Sequence, residues 1–158
     1  QSVYLREICG RKDGAPPPVD LSAEKRNGAF VRKLVLEGRV TSAHDLSDGG
    51  LAVALAEMAL AGGVGANVVA LPDGPPHAIV FGEDQGRYLV TLRDAQAQEI
   101  LQEADLLGVP FAALGVTRGA ALILPGEAPI LLSELRIAHE TPLPAYMSGN
   151  DEAFPDNS

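Results

Sequence analysis

The 158-residue sequence predicts an α/β (α+β) fold in which helices pack on a mixed sheet, and three observations carry that reading. Short apolar and β-branched runs alternate with segments of helical periodicity, the pattern of a layered helix-on-sheet domain. Glycines stand just past the helical segments, at Gly38, Gly62-Gly63 and Gly108, where a left-handed residue closes a helix. The length suits one domain, large enough to bury a core without a metal or disulfide staple.

The elements follow in order. Residues 1–18 read as the remnant of a preceding domain and a linker: Gln1 to Leu5 ends an upstream element, and Asp13-Gly14 with Pro16-Pro17-Pro18 refuses both helix and central strand. Gln1, with no initiator Met and no basic-then-apolar leader, points to a cut chain. The domain itself is expected over 19–147. Asp20 is placed to cap a helix over 21–37, with Ala23, Phe30, Val31, Leu34 and Val35 on its apolar stripe. Val40 to Ala43 is a short strand, and after a turn the Ala/Leu-rich stretch Leu51 to Ala61 is a helix apolar nearly all round. Val64 to Leu71 reads as a strand, Pro72 to Pro76 as a loop, and Arg87 to Arg93 as the clearest strand. Asp94 is expected to cap a helix through Leu107, with Ala97, Ile100, Leu101, Ala104 and Leu107 inward. Strands near Phe111–Val116, Ala121–Leu124 and Pro129–Leu132 precede a helix near Ser133–Ala138, and the polar residues 148–158 are expected to fray.

Composition excludes several function classes. Lys and Arg total 12 against 21 Asp and Glu, a net charge of −9, which disfavours nucleic acid and anionic membranes as partners. A single cysteine, Cys9, forms no internal disulfide, and three scattered histidines make no zinc motif, so a reducing cytoplasmic setting is expected. No apolar run approaches the ~20 residues of a membrane helix.

The densest chemical signal is Ser42-Ala43-His44-Asp45-Leu46-Ser47-Asp48-Gly49-Gly50-Leu51, at a strand-to-helix junction. First-turn N–H groups and the helix dipole hold anions there, and glycines let a ligand oxygen approach the main chain. Asp45, Ser47, Asp48, Gly49 and Gly50 are therefore candidate nucleotide- or substrate-binding residues. Asp45 and Asp48, with Glu83 and Asp84 of the second cluster Phe81-Gly82-Glu83-Asp84-Gln85-Gly86-Arg87-Tyr88, are candidate Mg²⁺ ligands, since Mg²⁺ takes few carboxylates together with phosphate oxygens. The plain alternatives are a cap and a tight turn for the first cluster, and for the second a solvated turn in which Arg87 pairs with Glu83 or Asp84. His44 reads either as a general base or as a hydrogen-bonded structural residue. No catalytic triad, zincin helix, Gly-Lys-Ser/Thr phosphate loop or dinucleotide fingerprint is present.

These clusters resemble a known family. Ala43 to Met58, followed by Phe81-Gly82-Glu83-Asp84-Gln85-Gly86-Arg87-Tyr88-Leu89-Val90 and preceded by Pro16-Pro17-Pro18-Val19-Asp20, is similar to the end of the phosphoribosylformylglycinamidine synthase (formylglycinamide ribonucleotide amidotransferase) large subunit, in the aminoimidazole ribonucleotide synthetase-like superfamily. The resemblance implies the C-terminal domain of the second half of an ATP- and Mg²⁺-dependent ligase of purine biosynthesis. That ligase converts formylglycinamide ribonucleotide to formylglycinamidine ribonucleotide with glutamine-derived ammonia. It also implies as partners the rest of the synthetase subunit, a glutaminase subunit and a small accessory subunit. The family's catalytic histidines and its Gly-Gly-Asn-x-Ser type motif have no counterpart in this chain, so no catalytic residue is assigned and the chain alone is expected to be inactive. Two other readings stay open: a structural domain for inter-domain and glutaminase contacts, and a superfamily kinase such as a thiamine-monophosphate kinase. The Asp45–Gly50 core alone is similar to that kinase, whereas Phe81–Arg87 is not.

Overall fold

Two sheets organise the chain in this computed structural model, which describes residues 2–12, 15–16 and 18–148. The expectations for Asp13-Gly14, for Pro17 and for residues 149–158 lie outside the described residues. The first elements are α1 (Val3–Glu7), α2 (Leu21–Leu36), β1 (Ser42–Asp45), α3 (Gly50–Gly62), β2 (Ala66–Val68) and α4 (Pro76–Phe81). They are followed by β3 (Tyr88–Thr91), α5 (Asp94–Leu106), β4 (Gly115–Thr117), β5 (Ala121–Ile123), β6 (Ile130–Leu131), α6 (Leu132–Glu140) and α7 (Pro142–Met147).

The strands form two sheets. β1 and β3 make an antiparallel ribbon in which Ser42 faces Thr91 and Asp45 faces Tyr88. The other sheet has the order β4-β2-β5-β6, with β2 and β5 parallel and the remaining pairs antiparallel, so it is mixed as expected.

Helix α3 joins the layers. Leu51, Ala54, Leu55 and Ala59 of α3 bury against Leu46, Val68, Leu122 and Leu132, placing the helix among the β1–β3 end of the molecule, the mixed sheet and α6. Gly63 closes α3 at φ +64°, and Gly49 opens it at φ +79°, values that favour a residue without a Cβ. A second core is helical: Phe30 and Leu34 of α2 meet Ile100 and Ala104 of α5 together with Val109. Phe111 closes it with an edge-on contact to Phe30, ring centroids 5.9 Å apart, a favoured aromatic geometry.

Local capping chemistry explains α2. The Asp20 carboxylate accepts from Ser22 and Ala23 N–H at 3.0 Å, and Gly38 at φ +64° ends the helix. The apolar stripe is narrower than periodicity implies: Val35 is 50% exposed, as is Leu107 beyond α5 at 52%.

Several expectations shift, among them the strand near Phe111–Val116, which lies at Gly115–Thr117 where β2 pairs with it. The first strand lies at Ser42–Asp45 rather than Val40–Ala43, because pairing with β3 defines it and only Thr41 N–H, donating to Thr91 O, extends the ladder backward. The strand expected over Val64–Leu71 contracts to Ala66–Val68, since Val69 and Ala70 both donate to the one carbonyl of Leu114 and the ladder ends there. Asp94 is the first helical residue of α5 rather than its cap, acting on the free N–H end through charge. Helix α4 follows directly on the expected loop; it starts at Pro76, whose fixed φ and missing N–H suit a first helical position.

Candidate functional site

Antiparallel pairing of β1 with β3 decides where the candidate residues meet. Because Asp45 ends β1 opposite Tyr88 at the start of β3, the loop after one strand lies beside the loop before the other. The two clusters, far apart in sequence, share a cleft of about 350 Å³ lined by Asp45, Ser47, Asp48, Glu83 and Arg87, with Glu24 from α2. A second groove of about 340 Å³, apolar in its lining, lies between the ribbon and the mixed sheet and contains none of the candidates.

Gly49 and Gly50 face inward rather than into the cleft. Gly49 N–H donates to Glu83 Oε1 at 3.0 Å, and Gly50 N–H to Ser47 O at 3.0 Å. The anion position expected at these amides is thus filled from within the chain by a carboxylate and a carbonyl. Gly50 instead permits close packing: a Cβ there would stand 2.6 Å from Gly82 O.

Asp45, Asp48 and Glu83 line this cleft, but the four candidate carboxylates are not drawn into one ligand set. Among the described residues no three His, Cys, Asp or Glu are grouped to hold a metal ion. Glu83 Oε1 accepts from Gly49 N–H and also from Val3 N–H at 2.8 Å. Asp84 lies 3.5 Å from the Arg87 guanidinium, while Asp45 is on the exposed side of β1. A Mg²⁺ ion held through one or two of these carboxylates would draw its other ligands from phosphate oxygens and water.

Arg87, Gly86 and Phe81 of the second cluster have structural partners. Arg87 donates to Ile79 O and Gly82 O at 3.3 Å, satisfying carbonyls at the end of α4. Gly86 packs against Glu24, and its carbonyl accepts from Asn27 of α2 at 3.1 Å. Phe81 stacks on Tyr4 of α1, ring centroids 4.2 Å apart and planes 5° from parallel. His44 has both ring nitrogens engaged, Nε2 at 3.1 Å from Glu57 and Nδ1 at 2.5 Å from Asp45 O. It ties β1 to α3.

Sequence reasoning misses Val3, Tyr4 and Arg6. The charged form of Arg6 is favoured by its hydrogen bond to Glu7 and by the weaker fields of Glu83 and Asp48. Arg6 pairs with its neighbour Glu7, whereas the partners of Val3 and Tyr4, Glu83 and Phe81, lie far along the chain.

Residues 1–123 match the family described as AIR synthase related protein, C-terminal domain. The chain is 57% identical over 148 residues to the phosphoribosylformylglycinamidine synthase subunit PurL of Methylocella silvestris, an overlap of 94% of this chain and 20% of that protein. With the protein of the same name from Rhodopseudomonas palustris it shares 52% over 152 residues, 96% of this chain and 21% of the relative. Thermotoga maritima PurL complexed with ATP is similar in structure at a TM-score of 0.65 and 25% identity, covering 78% of this chain and 23% of that one. The same protein complexed with FGAR gives 0.63 and 25%, covering 74% and 21%. The chain spans about a fifth of the length of the curated relatives it matches.

Proposed function

This chain belongs to the AIR synthase related protein C-terminal domain family, and on that premise we propose that it is the matching domain of a phosphoribosylformylglycinamidine synthase. The reaction would be ATP-dependent conversion of formylglycinamide ribonucleotide to formylglycinamidine ribonucleotide with glutamine-derived ammonia, in purine biosynthesis. The carrying observation is identity of 57% along 94% of the chain to a protein of that name. Thermotoga PurL complexed with ATP and with FGAR supports the nucleotide and substrate class.

Within that enzyme the Asp45, Ser47 and Asp48 side chains would form one wall of the substrate cleft, oriented by the β1–β3 pairing. Mg²⁺ would accompany ATP, held through one or two carboxylates of this wall with phosphate oxygens and water completing its ligands. In-line phosphoryl chemistry needs both nucleotide and acceptor fixed, which a single open wall does not supply. The chain by itself is therefore inactive. Its partners on this reading are the rest of the synthetase subunit, a glutaminase subunit and a small accessory subunit, the likeness to Thermotoga PurLQS being the support. On this reading the setting would be cytoplasmic, in keeping with a single cysteine. No helix of the described residues is long and apolar enough to cross a membrane.

A docking role is the second reading, favoured by the exposed Ile137, Leu143, Tyr146 and Met147 on α6 and α7. Two measurements test the first. In the longer protein that carries this domain, Asp48→Ala should lower synthesis about tenfold or more through lost positioning, and unchanged kinetics with unchanged nucleotide binding would remove the loop from the site. Calorimetric titration of this chain with Mg-ATP should show no sub-millimolar binding; tight binding would contradict the half-cleft assignment.

A further inference from the structure

The Glu83 carboxylate joins two segments far apart in sequence. Its Oε1 accepts from Val3 N–H at 2.8 Å and from Gly49 N–H at 3.0 Å, spanning 80 and 34 residues of chain. Both are charge-assisted bonds to main-chain donors, the stronger class of protein hydrogen bond. One residue along from Val3, Tyr4 stacks on Phe81 at 4.2 Å, and Phe81 is two residues from Glu83. Gly82, between them, is packed against the start of α3, where a Cβ on Gly50 would meet its carbonyl oxygen. The entry helix α1 and the head of α3 thus share one carboxylate oxygen, and the segment that carries it packs backbone to backbone on the head of α3.

We propose that Glu83 is a positioning residue that couples α1 to the Asp45–Gly50 loop, so that movement of the segment entering the domain changes the setting of Gly49. Sharing one oxygen makes the two bonds interdependent: withdrawing Val3 frees Glu83 to rotate, and the Gly49 N–H loses its fixed acceptor. The coupling is a property of this chain and stands or falls apart from the catalytic reading.

Coupling of this kind is measured by a double-mutant cycle. Amide hydrogen exchange of the chain would be followed at Gly49, with Leu89 and Val90 of the ribbon as controls for an intact fold. Tyr4→Ala, which loosens α1 without touching the loop, should speed exchange at Gly49 about tenfold. In a Glu83→Ala background the same substitution should change Gly49 by less than about twofold, while Glu83→Gln, whose amide oxygen still accepts, should retain most of the response. If Glu83→Ala fails the ribbon control, Glu83→Asp, too short to reach both donors, supplies the comparison. No response of Gly49 to Tyr4→Ala, or an equal response with and without Glu83, would overturn the proposal.

Discussion

Gly50 and Gly82 meet backbone to backbone: a Cβ on Gly50 would stand 2.6 Å from the Gly82 carbonyl oxygen and 2.9 Å from the Phe81 carbonyl carbon. Gly50 also holds φ +64°. Left-handed backbone and a clash with main chain both act against any side chain, so Gly50→Ala should cost about 2–5 kcal/mol. Gly38 has the same φ, but a methyl group there would meet nothing within 4 Å, so Gly38→Ala should cost only about 1–2 kcal/mol. Urea midpoints of the two variants at unchanged m-value separate these contributions.

Leu34 and Ile100 close the helical core with 0% exposure each. Leu34→Ala leaves a cavity between α2 and α5 and should destabilise by about 2–5 kcal/mol, whereas Leu36→Ala, at a position 72% exposed, should stay within about 0.5 kcal/mol. Equal midpoints for the two would refute the assignment of this face as core.

Glu103 of α5 accepts from Lys33 of α2 and from Arg39, the latter at 2.6 Å. Those hydrogen bonds, Lys33 first and then Arg39, hold the Glu103 carboxyl below its ordinary range. A depressed carboxylate contributes stability that is complete above the unfolded-state value of about 4.3 and disappears as pH falls through the folded one. Glu103→Gln should therefore be less stable than the parent at pH 7, with the difference shrinking below about pH 4. Lys33 is half exposed, so added salt should shrink it as well. Denaturation at pH 7 and pH 3, with and without salt, checks both signs.

The parts legible from sequence are those whose causes are local. Asp20 caps α2 through amides two and three residues away, and Gly38 and Gly63 stop helices through their own φ. Periodicity places Phe30, Leu34, Ile100 and Ala104 inward correctly, but it also points Val35 and Leu107 there, because a stripe records which face is apolar and not how wide its partner is. The edges of β1 and β2 move for a related reason: propensity marks where a strand is comfortable, while the ladder exists only where a partner strand is present.

By itself the sequence determined the helix-on-sheet class, the capped helices, and the two clusters Asp45–Gly50 and Phe81–Tyr88 as the unusual stretches of the chain. Tertiary structure alone decided what those residues do. The β1–β3 register set the clusters side by side and brought Glu83 to the Gly49 amide, and the packing of α1 made the same carboxylate an acceptor for Val3. A carboxylate and an open amide look alike in sequence whether the partner is an ion, a phosphate or another part of the chain. Hydrogen-bond partners 34 and 80 residues away are fixed by strand pairing and close packing, not by spacing.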